Sequence, residues 1–333
     1  MEAMSREFGT SAAAAGGPGA RNKQHVRLIG KSAQIHELQA EIERVARSDA
    51  KVLIIGESGV GKEIVSRSIH YGSPRAHMMF APVNCAGLPE TLLESELFGH
   101  VKGSFTGAYR DKPGKLESAH MGTVFLDEIG EMTLRMQGLL LRFLETGEIQ
   151  RVGSDGGARH VNVRIIGATH RNLRDMIAQG TFREDLYYRL NVIQINVPSL
   201  RDRREDIPDL VTHFLERFVA ANRSPISAVS PDAMKALVAY SWPGNVRELE
   251  NRLKRALIMA DARIVTSADL DLPGSTSEEP VPINLRAARE IADRRAIRQA
   301  LSRTDNNISG AARLLGISRP TLYDLLKQYR LQA

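Results

Sequence analysis

The chain has 333 residues, 42% of them hydrophobic and 25% charged, which is the composition of a soluble globular protein of two or three domains. It has no apolar run near the roughly 18 residues of a membrane helix and no signal-peptide pattern, and its single cysteine, Cys85, excludes an intramolecular disulfide. The formal net charge of +6 hints at a nucleic-acid partner, although only the distribution of charge decides that. We expect a cytoplasmic protein without a membrane partner, in which Cys85 is a buried thiol.

The first 25 residues are low in complexity and lack apolar periodicity, so we predict a disordered tail that is too short for a sensor domain. Apolar residues at spacings of three and four then predict an amphipathic helix that begins after Ser32, its N-cap. These residues are Ile35, Leu38, Ile42 and Val45. The short run before the helix contains Ile29 and Gly30, and it either packs on a nucleotide base or forms a simple turn.

A buried strand, a glycine-rich turn and a helix follow in the order that a phosphate-binding loop needs. The turn consists of Gly56, Glu57, Ser58, Gly59, Val60, Gly61, Lys62 and Glu63. Its glycines let backbone N–H groups close on phosphate oxygens, the helix N-terminus adds about half a positive charge, and the Lys62 ammonium reaches the terminal phosphates. Glu63 stands where the strict pattern has a Ser or Thr that binds magnesium. A strand-to-helix turn without nucleotide is the alternative, and the context favours the nucleotide.

A second strand is predicted at residues 79–83, ending at Asn84, and a glycine-bracketed segment follows further along the chain. The segment consists of Gly103, Ser104, Phe105, Thr106, Gly107 and Ala108. It has neither helical nor strand periodicity. From the residues alone, a turn with a buried Phe105 and a mobile loop that presents Phe105 to a partner are equally good interpretations.

Residues 122–128 indicate a buried strand that ends in two carboxylates, Asp127 and Glu128. In nucleotide hydrolases the first carboxylate holds Mg²⁺, often through water, and the second orients or deprotonates the attacking water. Such a pair is weak evidence alone and strong evidence downstream of a phosphate-binding loop. Because Glu63 replaces the hydroxyl ligand, we expect Asp127 to carry more of the coordination of the metal.

The strand predicted at residues 163–168 ends in Thr169 and His170, which would lie near the γ-phosphate beside the other strand ends. A lone histidine is more often a structural hydrogen-bonding residue than a catalyst, and we keep that interpretation for His170. Strands and helices alternate from residue 26 to about residue 198, which predicts a doubly wound parallel sheet.

Two arginines, Arg183 and Arg189, are six residues apart, so that a helix would place them about 240° from each other. Composition favours surface salt bridges to Glu184 and Asp185. The functional alternative is an arginine finger that reaches a phosphate on a neighbouring subunit.

After Pro198 the chain becomes helical, with amphipathic faces predicted at residues 210–218 and 233–238 and a break at residues 241–244 before a third helix. A helical subdomain after an α/β core makes a lid. Arg247, near the start of the third helix, either reaches the nucleotide or forms a structural ion pair.

The C-terminal segment, residues 283–333, follows a linker at residues 271–282 that is rich in Pro, Ser and Gly. This segment carries ten Lys or Arg against four Asp or Glu, so its net charge of +6 equals the excess of the whole chain. A short helix, a turn at Gly316 and a second helix capped by Ser318 form a helix-turn-helix signature. A helical protein-docking domain is the alternative.

From Ile29 to about Leu270 the sequence resembles the AAA+ domain of bacterial enhancer-binding proteins, the activators of sigma-54 RNA polymerase. The resemblance is carried by the phosphate-binding loop and by residues 96–100, 103–108, 122–128, 182–189 and 242–249. Residues 283–333 resemble the Fis-type DNA-binding domain of that family. The implied fold class is α/β: an AAA+ P-loop NTPase with a parallel sheet core and a helical lid, followed by a small all-α helix-turn-helix domain. The implied boundaries are 1–25 for the tail, 26–200 for the α/β subdomain, 201–270 for the lid, 271–282 for the linker and 283–333 for the DNA-binding domain.

The resemblance implies an ATPase that binds ATP and Mg²⁺ between the subunits of a homo-oligomeric ring, typically a hexamer. Arg183 and Arg189 match arginine fingers that act on the neighbouring subunit. The two sensor positions of the family fall on Thr169, His170 and Arg247. Asn84 would pair with Glu128 as a switch that links the state of the γ-phosphate to the 103–108 loop.

In that family, the loop at residues 103–108 contacts the sigma factor, chiefly through Phe105 and Thr106. Ser104 stands where the family usually has alanine, and the resemblance leaves activation intact because Phe105 and Thr106 are both present. The implied function is remodelling of closed promoter complexes of sigma-54 polymerase into open complexes. An AAA+ protein that remodels DNA itself and a repressor without sigma contact are the alternatives, and the intact loop argues against both.

The Fis-type domain implies binding to double-stranded DNA at an upstream site. The candidate DNA contacts are Arg313, Ser318, Arg319, Thr321, Tyr323, Asp324 and Lys327. Asp324 lies where Fis itself is basic, so the contact at that position differs. Because only the 25-residue tail precedes the ATPase domain, we expect control by a regulatory protein acting in trans or by expression, unless the chain is truncated.

Overall fold

The computed structural model describes residues 28–222, 228–259 and 264–272, and parts of the C-terminal region. These parts are residues 289–290, 292–294, 296–297, 300–301, 304 and 307–329. The chain divides into two compact units, Met1–Asp271 and Leu272–Ala333. Within the described ranges, no helix combines the length and the apolar character that a membrane span requires.

Five parallel strands form the central sheet of the first unit. They are β1 (Val52–Ile55), β2 (Phe80–Asn84), β3 (Thr123–Asp127), β4 (Arg164–Thr169) and β5 (Ile193–Asn196). Their order across the sheet is β2-β3-β4-β1-β5. The parallel sheet that the alternation predicted is confirmed. The strand at 193–196 was not singled out in the sequence, although Ile193, Ile195 and Val197 alternate there with polar residues.

The carboxyl ends of these strands meet at one edge of the sheet. Asn84 lies opposite Asp127 in the register of β2 and β3, and Ile55 lies opposite Thr169 in that of β1 and β4. The strand predicted at 163–168 is shifted by one residue and ends at Thr169, and the strand predicted at 79–83 begins at Phe80. The polar residues singled out in the sequence therefore share one edge, where doubly wound proteins bind ligands.

In residues 28–200, all of which the structure describes, seven α-helices belong to the α/β part. They are α1 (Ala33–Ala46), α2 (Lys62–Tyr71), α3 (Glu90–Phe98), α4 (Lys115–Ser118), α5 (Leu134–Thr146), α6 (Leu173–Ala178) and α7 (Glu184–Leu190). Alternate strand residues face two separate cores: Leu53 packs with the core that contains α3 and α5, and Ile54 with the one that contains α1 and α2. Ser32 caps α1 as predicted, since its hydroxyl accepts a hydrogen bond from Ile35 N–H. Cys85 is buried, as expected.

Two short antiparallel strand pairs protrude from this part. Gly99–His100 pairs with Lys112–Pro113 at the base of the 103–108 loop, and Glu148–Ile149 pairs with Arg159–His160. A bridge links His100 of the first pair to Val152, which lies between the two strands of the second pair. Two-residue strands are too short to leave an alternation in the sequence, which is why neither pair was predicted.

The helical lid follows the sheet and contains the predicted third helix. Its helices are α8 (Ile207–Asn222), α9 (Pro231–Ala239) and α10 (Asn245–Met259), and Ala228–Val229 pairs with Ile264–Val265 in parallel. Between α9 and α10 the Trp242 indole is buried and its N–H donates to the carbonyl of Leu237 at 2.8 Å. The indole thereby fixes the turn from which α10 begins.

The second unit contains the helix-turn-helix, formed by α11 (Ile308–Leu314) and α12 (Arg319–Gln328). Gly316 has a φ of 68° in the turn, and the Ser318 hydroxyl accepts a hydrogen bond from Thr321 N–H to cap α12, as predicted. A small apolar core includes Leu322 and Leu326. The predicted tail at 1–25 and nearly all of the predicted linker at 271–282 lie outside the described residues.

Candidate functional site

The phosphate-binding loop leaves β1 and closes around the ammonium group of Lys62. Gly59 and Gly61 have φ values of 80° and 105°, the left-handed region that favours glycine. Lys62 is the first residue of α2 and is 6% exposed. Its ammonium donates to the carbonyl oxygens of Gly56 at 2.9 Å and Glu57 at 3.3 Å. The loop is therefore a preformed cradle with a cation at its centre, which suits a polyphosphate.

A cavity of about 320 Å³ opens over this loop. The predicted nucleotide contacts among its lining residues are Ile29, Ser58, Gly59, Val60, Gly61, Lys62, Glu63, Asp127, Glu128 and Arg247. Five further predicted residues, all in the described part of the chain, lie outside this lining: Gly30, Gly56, Glu57, Thr169 and His170. The cavity thus brings together residues from the loop, the sheet edge and the lid.

The lid contributes residues to the cavity that sequence reasoning missed. On α8 these are Leu210, His213, Phe214 and Arg217, and on α10 they are Val246 and Glu250. The amphipathic pattern of α8 identified Leu210 and Phe214 only as packing residues. Arg203 also lines the cavity, is 3% exposed, and donates to the carbonyl of Val60 at 3.3 Å. A single arginine in a charged stretch gives no sequence signal of this burial.

The acidic pair lies at the end of β3, facing Lys62. Glu128 has a φ of 53°, and its backbone N–H donates to Asp127 Oδ1 at 3.1 Å. One carboxylate oxygen of Glu128 lies 3.3 Å from Lys62 Nζ, and the other accepts from His170 Nδ1 at 2.6 Å. Burial opposes ionisation of Glu128, but the hydrogen bond from His170 and the charge of Lys62 hold its pKa below its usual range. Glu128 is therefore a charged acceptor at neutral pH.

The pKa of Asp127 shifts in the opposite direction. Burial raises the pKa of Asp127, and the neighbouring charge of Glu128 raises it further. A divalent cation beside Asp127 would offset both effects. Among the residues that the structure describes, no group of three or more His, Cys, Asp or Glu could hold a metal ion by itself.

Thr169 and His170 do not share one role. The Thr169 hydroxyl accepts from Arg171 N–H at 3.0 Å, and the Thr169 carbonyl accepts from Gly56 N–H at 3.3 Å, next to the phosphate-binding loop. His170 binds Glu128 through both its ring and its backbone N–H, the latter at 3.2 Å. The histidine is thus a hydrogen-bonding residue, and its acceptor is the candidate catalytic carboxylate.

Asn84 does not pair with Glu128 in this structure, contrary to what the resemblance implied. The side-chain oxygen of Asn84 accepts from Ala86 N–H at 2.9 Å, within its own turn. Glu128 instead contacts Lys62 and His170. Both oxygens of the Glu128 carboxylate are engaged by these two groups, so the pairing needs a change of side-chain conformation.

The two candidate arginine fingers differ in position. Arg183 is the N-cap of α7 and Arg189 lies in its last turn, so the two arginines do not share one helix face. The Arg183 guanidinium pairs with Asp185 at 2.7 Å, the salt bridge that composition favoured. Arg189 lies in α7, and its Nε donates to the Leu144 carbonyl at 3.3 Å. Arg189 therefore contacts the C-terminal part of α5 and lies outside the lining of the nucleotide cavity of its own chain.

The 103–108 loop is a closed turn with its glycines facing open space. Gly103 N–H donates to the Ala108 carbonyl at 2.8 Å, and no atom lies within 4 Å of a Cβ placed on Gly103 or Gly107. Phe105 is half-buried, with its ring 5.0 Å from that of His100. The Ser104 hydroxyl donates to the Val101 carbonyl at 2.7 Å. The structure therefore combines elements of both sequence interpretations: a turn that projects, and an aromatic ring with one packed face.

The exposed face of α12 carries basic and aromatic side chains. Arg319, Tyr323 and Lys327 are exposed at four-residue spacing, and the Arg319 guanidinium lies 5.8 Å from the centre of the Tyr323 ring. Arg313 on α11 and Asp324 on α12 are exposed as well, while the Ser318 and Thr321 hydroxyls bond each other at 2.7 Å. Side chains at this spacing share one helix face, which is the geometry of a recognition helix.

Known family models match the chain in succession. The sigma-54 interaction domain matches residues 28–196, the AAA+ ATPase lid domain matches residues 201–280, and the Fis family of bacterial regulatory proteins matches residues 288–329. The first of these alone covers about half of the chain.

Individual relatives agree with these matches. The transcriptional regulatory protein ZraR of Escherichia coli K12 is 47% identical over 299 residues, which are 89% of this chain and 67% of that protein. The regulatory protein AtoC of the same strain is 46% identical over 311 residues, 91% of this chain and 67% of AtoC. The Nif-specific regulatory protein of Azotobacter vinelandii is 46% identical over 297 residues, 87% of this chain and 56% of that protein.

Among solved structures, NtrX from Brucella abortus in complex with ATP has a TM-score of 0.69 and 39% identity to this chain, covering 93% of this chain and 72% of NtrX. Fold, site geometry and sequence similarity thus agree. The chain belongs to the sigma-54-dependent transcriptional activators, a family in which an AAA+ ATPase domain drives activation and a Fis-type domain binds DNA.

Proposed function

We propose that this protein is a Mg²⁺-dependent ATPase that forms a ring, typically a hexamer, and converts closed complexes of sigma-54 RNA polymerase into open complexes. The observation that carries the proposal is the position of Glu128 between Lys62 and His170. A carboxylate held in this way at the rim of the phosphate cradle can orient water against a γ-phosphate. We also propose that the site residues and domain boundaries deduced from the sequence hold for the intact protein.

The described residues divide the chemistry among themselves. The 56–63 loop binds the β- and γ-phosphates, with Lys62 neutralising part of their charge. Glu128 orients a water molecule and takes its proton as the water oxygen bonds to the γ-phosphorus and the bond to the ADP oxygen breaks. Asp127 would hold Mg²⁺, which when bound would supply further neutralisation of the phosphate charge. Arg247 approaches from the lid, where its guanidinium donates to the Ser58 hydroxyl at 3.1 Å.

The ring is supported by the location of Arg189, whose guanidinium donates to the Leu144 carbonyl and lies outside the lining of its own nucleotide cavity. Arg189, with Arg183, would therefore act on ATP bound to the next subunit. Mixing two inactive variants tests this. Lys62→Ala and Arg189→Ala should each lack ATPase activity, and an equimolar mixture should recover about a quarter of the wild-type rate, because one interface in four combines both intact groups. A mixture as inactive as its components would contradict action in trans.

The contact with the sigma factor is supported by the projecting 103–108 loop. Purified sigma-54 polymerase, a supercoiled sigma-54 promoter and this protein should give open complexes with ATP and none with a non-hydrolysable analogue. Phe105→Ala should keep ATPase activity within about twofold and lose open-complex formation. Promoter opening that survives Phe105→Ala would favour the alternative, an AAA+ protein that remodels DNA itself. ATP hydrolysis without any opening would favour a repressor.

The helix-turn-helix unit would hold the ring at an upstream DNA site in the cytoplasm and thereby raise its concentration near the promoter. Its candidate contacts to bases and phosphates are the exposed side chains of α12, with Arg313 on α11. Asp324 stands beside this face, and we expect it to act in base preference rather than in phosphate binding, since a carboxylate repels phosphate and accepts from cytosine N4.

A further inference from the structure

A buried carboxamide joins the lid to the phosphate-binding loop. Asn245 is fully buried at the start of α10 and has a φ of 51°. Its side-chain oxygen accepts from Leu200 N–H at 2.8 Å. Its side-chain nitrogen donates to Glu57 Oε2 at 3.0 Å and to the Ser58 carbonyl at 3.1 Å. Both donors and one acceptor of a single side chain thus bind two segments that are far apart in the sequence.

Both the side-chain carboxylate and the backbone carbonyl of Glu57 accept hydrogen bonds. Its carboxylate lies between Asn245 and Arg201, and Arg201 Nη1 donates to it at 3.0 Å. Its carbonyl accepts from the Lys62 ammonium at 3.3 Å. Although Glu57 does not line the nucleotide cavity, its backbone is part of the cradle that orients Lys62. Movement of the Glu57 side chain therefore moves a group that positions Lys62.

The first turn of α10 sits directly on the same loop. Arg247 N–H donates to the Gly59 carbonyl at 3.2 Å. A Cβ placed on Gly59 would lie 2.4 Å from the Gly244 carbonyl oxygen, so the two backbones meet with no room for a side chain. Arg247, one of the lid residues that line the cavity, is two residues beyond Asn245. The position of Asn245 therefore sets the position of Arg247.

We propose that Glu57, Asn245 and Arg201 form a junction that couples the angle of the lid to the shape of the phosphate-binding loop, and that Glu57 and Asn245 are positioning residues for ATP binding and hydrolysis. The positive φ of Asn245 costs free energy that a residue with negative φ would not pay. The three hydrogen bonds of the Asn245 side chain offset that cost. When the lid shifts, the junction pulls on the loop that holds Lys62, so that neither the lid nor the loop changes alone. This inference rests on the proposed ATPase function.

Reversal of the hydrogen-bond polarity tests the junction. Asn245→Asp keeps the shape, the tolerance of a left-handed backbone and the acceptor for Leu200, but it replaces both donors by an oxygen that faces the Glu57 carboxylate. We expect binding of a fluorescent ATP analogue with Mg²⁺ to weaken about tenfold. Adding Glu57→Gln supplies an amide N–H that can donate a hydrogen bond to the new carboxylate at position 245. The double variant should therefore regain most of the lost affinity.

Matched variants complete the experiment. Asn162→Asp changes an exposed asparagine before the amino end of β4, whose oxygen accepts from Arg75, and it should bind the analogue as the wild type does. If Asn245→Asp does not fold, Glu57→Gln and Arg201→Gln test the outer half of the junction, where we expect a two- to threefold loss with the urea midpoint unchanged.

Wild-type affinity in Asn245→Asp, or no recovery in the double variant, would overturn the junction, as would unchanged affinity in both outer variants. Failure of the wild-type protein to bind the analogue would instead overturn the proposed ATPase function.

Discussion

At the scale of single residues, the Glu128 carboxylate contacts two other functional side chains, Lys62 and His170. Its two oxygens are shared between the cation of the phosphate-binding loop and the histidine at the next strand end. Both contacts favour the ionised carboxylate, which is the form that can accept a proton from water. The same contacts also fix its direction, so that the base is oriented before any substrate arrives.

Glu128→Gln should therefore bind ATP as well as the wild type, with a dissociation constant within about threefold, and lose about 10² to 10⁴ in kcat. The amide keeps the shape of the carboxylate but does not take up the proton. Steady-state ATPase assays and binding of a labelled nucleotide check this. Glu131→Gln is the matched control, since Glu131 pairs with Arg171 outside the cavity lining and its loss should leave kcat nearly unchanged.

Asp127→Asn should stabilise the fold while it removes activity. Burial and the charge of Glu128 raise the pKa of Asp127, so its ionised form destabilises the protein at pH 7, and removal of that charge should add on the order of 1 kcal/mol to the free energy of unfolding. As the pH falls through the raised pKa towards the ordinary value of 3.8, wild-type Asp127 becomes protonated and the difference should vanish. Urea unfolding between pH 7 and pH 4 measures this, and a variant less stable than the wild type at pH 7 would contradict it.

At the scale of elements, the backbones of the phosphate-binding loop and the first turn of α10 pack too closely for an added side chain at Gly59. Gly59→Ala would force a left-handed backbone on a residue with a Cβ and drive that Cβ against the Gly244 carbonyl. We expect nucleotide affinity to fall at least tenfold and the free energy of unfolding to fall by about 1–3 kcal/mol.

Gly138→Ala provides the control for that change. Gly138 lies inside α5, and no atom lies within 4 Å of the added Cβ, so alanine should raise the free energy of unfolding by about 0.5–1 kcal/mol and leave nucleotide binding unchanged. If both variants bind nucleotide equally, the close approach of Gly59 and Gly244 does not matter for binding.

The strand ends were predictable from the sequence, and the contacts of the side chains on them were not. Buried apolar runs and the residues after them located β1 to β4 within one or two positions. A parallel strand that is covered on both faces consists mostly of apolar residues, and such a run is easy to recognise. The partner of Glu128 could not be deduced, since a chosen rotamer and the register of neighbouring strands decide whether Asn84 or His170 reaches it. The role of Arg203 could not be predicted either, because its burial arises only when the lid folds onto the sheet.

At the scale of the whole molecule, the basic charge is concentrated in the unit that carries the helix-turn-helix. If Lys327 contacts a phosphate, Lys327→Ala should weaken binding to all DNA sequences alike and reduce the slope of log K against log[salt] by about 1. Titration of labelled DNA at several salt concentrations measures this. Lys235→Ala removes an exposed lysine of the lid and should leave the slope unchanged, whereas an unchanged slope in Lys327→Ala would place Lys327 away from the DNA backbone.

The order of the strands also governs how the chain can fold during its synthesis. β1 lies between β4 and β5, so residues 52–55 gain both neighbours only after residue 196 has left the ribosome. At about 5–20 residues per second this delay is on the order of ten seconds, and the cavity gains Arg247 and Glu250 later still. During that interval the apolar β1 segment lacks at least one of its two neighbours in the sheet, and unpaired apolar strands of this kind are the surfaces through which incompletely folded chains aggregate.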